Sequence, residues 1–274
     1  MHTKQSLMDD LYRMHAPQNL PVIVHTSLKK IGACEDGAEG VLSVLIDYFT
    51  KDGGLLIIPT HTWRNLSHPS AYTLDMTPVG QAEVRACIGV LPSVAAYHPL
   101  AHRSRHPTHS VAVFDGTPAG TPGRAEDYIR RDDRECGSST HPEGCFGSLY
   151  ALGGKVLLLG VGQQNDTFLH AIEEIVGVPG RLMEEARVLT VRLPDGTVIE
   201  KRQRCHCGSV SGRYPKFEPA FRYHGAIVDG MFGDAKTQLC DARRMTQTIR
   251  QIKERAGDRD LLLDDAPLEP SLYE

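Results

Sequence analysis

Positive charge is not in excess in this chain. Lys and Arg number 30 against 34 Asp and Glu, giving a net charge of −4 over 274 residues. The basic footprint of a nucleic-acid binder is therefore missing. Also missing is any apolar run near the ~20 residues needed to span a bilayer. The N-terminal stretch Met1 to Asp10 has no apolar signal-peptide core. These absences predict a soluble, cytoplasmic protein with no nucleic-acid or membrane partner. The seven cysteines are odd in number and scattered, which predicts free thiols in a reducing compartment. Cys205-His206-Cys207 lacks the Cys-x-x-Cys spacing of a zinc knuckle, and Cys136 and Cys145 could complete a site only by folding onto it. The chain has no His-Glu-x-x-His pair, no Gly-x-Ser-x-Gly elbow and no completed dinucleotide fingerprint after Gly160-Val-Gly162. With no internal repeat or linker-like shift, residues 1–274 read as one domain with an irregular tail from about 259.

Short apolar runs alternate with helical patterns. Leu7, Leu11 and Met14 share one face of a first helix. Strands are expected at 21–27, 55–58, 111–114 and 155–159, and a hairpin at 187–199 turns at Pro194-Asp-Gly196. Asp36 is expected to cap a helix carrying Val41 to Phe49. Further helices are expected at 88–97 and 235–256, and residues 60–81 and 116–147 read as polar loops. This pattern predicts an α/β fold, three-layered α/β/α, with a mixed central sheet and an antiparallel hairpin section.

The most informative segment is Lys155-Val-Leu-Leu-Leu-Gly-Val-Gly-Gln-Gln-Asn-Asp-Thr-Phe-Leu-His170-Ala-Ile-Glu173-Glu174. A buried strand stops at glycines, Asn165, Asp166 and Thr167 offer N-caps, and His170 falls in the first turn of the next helix. Glu173 and Glu174 lie three and four residues on, on the same face. An imidazole there suits a general base, since the helix N-terminus disfavours its protonation while a carboxylate stabilises it after proton transfer. His25-Thr26-Ser27-Leu28 closes the first strand and belongs to the same carboxyl edge of the sheet, where open α/β sheets hold ligands. The run Arg103-Ser104-Arg105-His106-Pro107-Thr108-His109-Ser110 reads as a solvated basic loop or as a phosphate clamp. His206 is available to line a pocket. The cluster His61, His68, His102, His106 and His109 leaves a metal-dependent hydrolase as one alternative, and a non-catalytic binder of coenzyme A or a small amine is another.

Three of these segments, in this order and spacing, resemble the aminoglycoside 3-N-acetyltransferase family: His25-Thr-Ser-Leu-Lys-Lys-Ile-Gly32, Arg103-Ser-Arg-His-Pro-Thr-His-Ser-Val-Ala112, and Val156 to Gly162 followed by Asn165-Asp-Thr-Phe-Leu-His170-Ala-Ile-Glu173. The likeness runs from about residue 5 to 258. It implies an α/β/α fold distinct from the common GNAT acetyltransferases. Acetyl-coenzyme A would be the donor, an amine the acceptor, and no metal would be used. It implies His170 as general base and Glu173 as its carboxylate partner, the motif with Arg103, Ser104, His106 and Ser110 on coenzyme A, and His25 to Leu28 along the thioester arm. His25 is also expected to be catalytic, Thr26, Ser27, Leu28 and Val111 to bind the cofactor, and His61, Asp166 and His206 to bind the acceptor. Where the family often carries Asp-x-Asn-Thr, this chain has Gln164-Asn165-Asp166-Thr167. The acceptor loops 60–81 and 201–224 are poor in carboxylates, which favours a different acceptor from a polycationic drug, or a weak promiscuous resistance activity. Monomer and homodimer both stay open.

Overall fold

Strand-forming runs and helices alternate through the chain, and they assemble into two sheets. The computed structural model describes residues 1–68, 70–134 and 136–274. Among them the strands, in chain order, are β1 (Pro21–Thr26), β2 (Leu55–Pro59), β3 (Leu74–Asp75), β4 (His102–Arg103), β5 (Val111–Phe114), β6 (Cys136–Ser138), β7 (Lys155–Leu159), β8 (Arg187–Arg192), β9 (Val198–Arg204), β10 (Ile227–Phe232) and β11 (Ala235–Asp241). The helices are α1 (Lys4–Arg13), α2 (Leu28–Ile31), α3 (Gly37–Phe49), α4 (Gln81–Ile88), α5 (Val90–Ala95), α6 (Arg124–Ile129), α7 (Ser148–Leu152), α8 (Phe168–Ile175), α9 (Glu218–Tyr223) and α10 (Ala242–Ala256).

The larger sheet runs β10-β11-β7-β1-β2-β5-β4. β1, β2 and β7 are parallel, whereas β5 and β11 join antiparallel on either side. Successive strand residues point to opposite faces. Ile23, Ile57, Val113 and Leu158 enter one core, and Val24, Ile58, Ala112 and Leu157 enter the other. Helices α6 to α10 cover the first face and α1, α3 and α5 the second, which makes the expected three-layer α/β/α arrangement. Each Leu or Ile fully removed from water contributes roughly 1.5–3 kcal/mol. A one-residue slip would turn each buried set to the wrong face, so the two cores hold the register.

The smaller sheet, β3-β8-β9-β6, contains the expected 187–199 hairpin as β8 and β9. It is tied to the segment before β5. The Gln203 amide donates to Thr108 Oγ1 at 2.9 Å, and His106 Nε2 donates to the Ser138 carbonyl at 3.0 Å. No helix among the described residues is long and apolar enough to cross a membrane.

Several local expectations are corrected. Residues 60–81 are not a surface loop: Thr60, His61, Thr62 and Asp75 are buried, and β3 joins the second sheet. The helix expected at 88–97 is broken at Gly89, whose φ of 107° ends α4 and starts α5. The polar stretch 116–147 contains α6 and β6. Residues 235–256 are not one helix. Ala235–Asp241 pairs with β7 as a strand, and α10 begins only where Asp241 accepts from the Arg244 N–H. Asp36 precedes α3 without capping it and pairs with Lys4 at 2.8 Å instead.

Candidate active site

The carboxyl ends of β1, β2 and β7 share one edge of the larger sheet, and the start of antiparallel β5 joins them there. After β7 the chain turns at Gly160, with φ 67°. A Cβ at that position would meet the Lys30 and Ala235 Cβ atoms at 2.8 and 3.2 Å, so glycine is what lets the strand leave the sheet here. Asp166 Oδ1 accepts the Phe168 N–H at 2.9 Å, taking up one free donor at the start of α8. His170 follows in the first turn, as its spacing predicts.

Tyr214, from the 3₁₀ segment Ser211–Phe217, comes between His170 and Glu173. Its hydroxyl is 2.6 Å from His170 Nδ1 and donates to Glu173 Oε2 at 2.7 Å, whereas Nδ1 and Oε2 are 3.5 Å apart. A hydroxyl has one proton. Given to the carboxylate, it leaves the oxygen to accept from Nδ1–H. That bond puts the imidazole proton on Nδ1 and leaves Nε2 with its lone pair. Nε2 has no hydrogen-bond partner among the described residues, and the side chain keeps 18% of its surface exposed. Burial lowers the His170 pKa below that of an ordinary histidine. The nearby Glu173 carboxylate raises it part of the way back. Burial pushes the Glu173 carboxyl up, but the neighbouring His170, the bond from Tyr214 and the charge of Arg181 bring it below the usual range. Arg181 Nε donates to Glu173 Oε1 at 2.7 Å, and its other nitrogens hold Asp260.

Glu174 has a parallel arrangement. Thr140 Oγ1 donates to Glu174 Oε1 at 2.7 Å and lies 3.1 Å from His206 Nε2, and Ser138 Oγ binds the other carboxylate oxygen. The His206 ring lies against His170, centroid to centroid 4.4 Å at 34°. Two consecutive glutamates thus each hold an imidazole through an intervening hydroxyl.

A cleft of about 310 Å³ opens along the same edge, lined by His25, Thr26, His61, Trp63, Ile88 and Asp166 among others. Four of its buried polar atoms have no protein partner: His25 Nε2, Thr26 Oγ1, His61 Nε2 and Asp166 Oδ2. Each such group costs about 1–3 kcal/mol when left unmet. Four in one cleft mark a place where a bound molecule supplies the partners. Burial pushes the His25 pKa down to about 4 and that of His61 well below its ordinary value, so both rings are neutral. Burial pushes Asp166 up to about 7.

The structure brings His25, Thr26, His61 and Asp166 into the cleft and sets His206 against His170. The expected phosphate-clamp residues lie inside the fold. Arg103 is 8% exposed and stacks on Tyr97 at 5.1 Å, its Nε, Nη1 and Nη2 without a protein partner among the described residues, while Ser104 and Ser110 are fully buried. Their hydroxyls are used inside the β4–β5 hairpin: Ser110 Oγ donates to the Ser104 carbonyl at 2.7 Å, and Ser104 Oγ accepts the Val111 N–H at 3.1 Å. Val111 is a core residue. His106 Nδ1 accepts the Thr108 and His109 N–H groups, so this ring fixes its own loop. Ser27 heads α2, its N–H donated to the Leu159 carbonyl, and Leu28 packs into the α1–α3 core instead of the cleft. Lys30 and Lys236 are exposed beside a depression of about 400 Å³ lined also by Gly160, Val161, Gly162 and Asp234.

Tyr214, Arg181, Asp260 and Thr140 carry no motif, and their partners lie 8 to 79 residues away. No spacing rule could have selected them. Among the described residues no group of three or more His, Cys, Asp or Glu has metal-ligand geometry. Cys145, Cys205 and Cys207 are free thiols, and the side chain of Cys136 lies outside the described residues.

Comparison with known proteins agrees with this architecture. Residues 23–254 match the family described as aminoglycoside 3-N-acetyltransferase. Aminoglycoside N(3)-acetyltransferase III of Pseudomonas aeruginosa is 25% identical over 278 residues, covering 94% of this chain and 96% of that protein. The SPbeta prophage-derived aminoglycoside N(3')-acetyltransferase-like protein YokD of Bacillus subtilis is 27% identical over 191 residues. That match covers 62% of this chain and 64% of YokD. A solved structure described as AAC-IIIb binary with CoASH superposes with a TM-score of 0.70 at 21% identity, covering 94% of this chain and 98% of the other, a likeness of fold.

Proposed function

The chain belongs to the aminoglycoside 3-N-acetyltransferase family, a family of N-acetyltransferases. We propose that it moves the acetyl group of acetyl-coenzyme A directly to an amine of a small-molecule acceptor, with His170 as general base. The observation that carries this reading is the His170–Tyr214–Glu173 chain, which aims an unprotonated Nε2 away from its supports.

In this reading His170 Nε2 takes the proton from the acceptor amine while the nitrogen bonds to the acetyl carbonyl carbon. The carbon–sulfur bond breaks and the thiolate leaves, to be protonated from solvent. Glu173, acting through Tyr214, stabilises the imidazolium that forms, and Arg181 keeps Glu173 ionised. The unmet atoms of His25, Thr26 and His61 fit the amides and carbonyl of a pantetheine thioester arm. With the Ser27 N–H already donated, the Val161–Gly162 turn is the candidate for meeting the carbonyl oxygen as it gains charge. Lys30 and Lys236, next to that turn, join Arg103 as candidates for the coenzyme A phosphates. Strands from residue 21 to residue 241 share one sheet, which supports reading the chain as a single acetyltransferase unit.

The test is thiol release from acetyl-coenzyme A with and without amines, followed by intact-mass measurement of the protein. Release that depends on the amine supports direct transfer. Release that ignores the amine, or an acetylated protein accumulating without acceptor, contradicts it.

A further inference from the structure

The cleft lined by Asp166 and Thr167, one helical turn before His170, is short of negative charge, and this bears on what it can accept. Asp166 is the one carboxylate among its described lining residues, and only Oδ2 is free. The nearby carboxylates are already committed. Asp75 accepts from Thr77 and faces Arg192, Glu83 holds Asn65 and Ser70, and Glu218 holds Arg222 and Gln238. Glu173 and Glu174 are used by Arg181, Tyr214, Thr140 and Ser138. The groove beyond Glu174 is lined by two cations, Arg181 and Arg204. The same cleft is lined by Trp63, Ile88 and Pro92, with Trp63 43% exposed.

We propose that the natural acceptor is a small monoamine with an apolar or aromatic body, seated against Trp63 and Ile88 with its nitrogen between Asp166 and His170, and not a polycation. This rests on the acetyltransfer reading above. A second or third ammonium carried into the cleft would lose its water without gaining a carboxylate, at about tenfold or more in affinity for each. A single ammonium finds Asp166 Oδ2, which burial holds near neutrality and so poised to share a proton. The aromatic wall contributes through apolar contact, and through cation–π attraction to an amine that passes Trp63.

The experiment compares phenethylamine with gentamicin as acceptors, by thiol release and by quenching of Trp63, the chain's single tryptophan. The expected result is a kcat/KM for phenethylamine about 100-fold above that for gentamicin, with saturable quenching by phenethylamine alone. Gentamicin turned over as well as or better than phenethylamine overturns the monoamine proposal and leaves the acetyltransfer reading intact. A folded protein that binds acetyl-coenzyme A and acetylates neither amine overturns both. A second arm places carboxylates on the exposed rim, with Gln164→Glu and Asn165→Asp together. If charge is what excludes polycations, the gentamicin-to-phenethylamine ratio of kcat/KM rises about tenfold. An unchanged ratio in a folded variant overturns the charge argument.

Discussion

The hydroxyl of Tyr214 lies 2.6 Å from Nδ1 of His170, closer than the carboxylate one helical turn away at 3.5 Å. The base is therefore oriented by a phenol, and the carboxylate acts through it. In Tyr214→Phe the imidazole loses its partner and Glu173 is too far to replace it. We expect kcat to fall about 10- to 100-fold, with KM for acetyl-coenzyme A within about threefold and a stability loss of about 1–2 kcal/mol. Steady-state kinetics and urea unfolding check this. An unchanged kcat would remove the bridge from the mechanism.

The acid limb of the rate profile follows from the His170 environment. Burial lowers its pKa from 6.5 and Glu173 partly raises it, so kcat/KM should fall off on the acid side below pH 6.5. In Glu173→Gln the raising influence is gone. The limb should move to lower pH while the plateau rate drops. A limb that moves upward would show that Glu173 is not the group supporting the imidazolium.

Stability should also depend on pH. His25, His61, His106, His109 and His170 all have pKa values lowered by burial. They stay neutral in the fold at pH values where the unfolded chain takes up protons. A lowered folded-state pKa favours folding above the unfolded value of 6.5, and that contribution is lost as pH falls towards the folded value. For His25 the folded value is about 4, worth about 3 kcal/mol once the pH falls that far. Urea unfolding should show a clearly lower stability at pH 5 than at pH 7. Equal midpoints would mean that the imidazoles are hydrated in the folded protein.

Local pattern carried the layering and the His170 turn, because strand alternation, glycine stops and N-cap chemistry are properties of neighbouring residues. The Ala235–Asp241 strand was read as helix because its apolar residues run into those of α10, and only pairing with β7 separates them. The 103–110 segment is ambiguous for a related reason. Arg, Ser and His are the residues of an anion site, but also of a hairpin whose serines and His106 bond within it, and composition does not distinguish the two. Tyr214 and Arg181 reach His170 and Glu173 only through the tertiary fold, so no window of sequence contains them together.

The central claim is that His170 carries the proton and does not build the site. The direct measurement is His170→Ala, with thiol release and calorimetric binding of acetyl-coenzyme A measured on the same folded preparation. The account predicts a kcat at least about 1,000-fold lower with a Kd within about threefold of the unaltered protein. A variant that keeps a tenth or more of its kcat, or loses binding in proportion to rate, would contradict it.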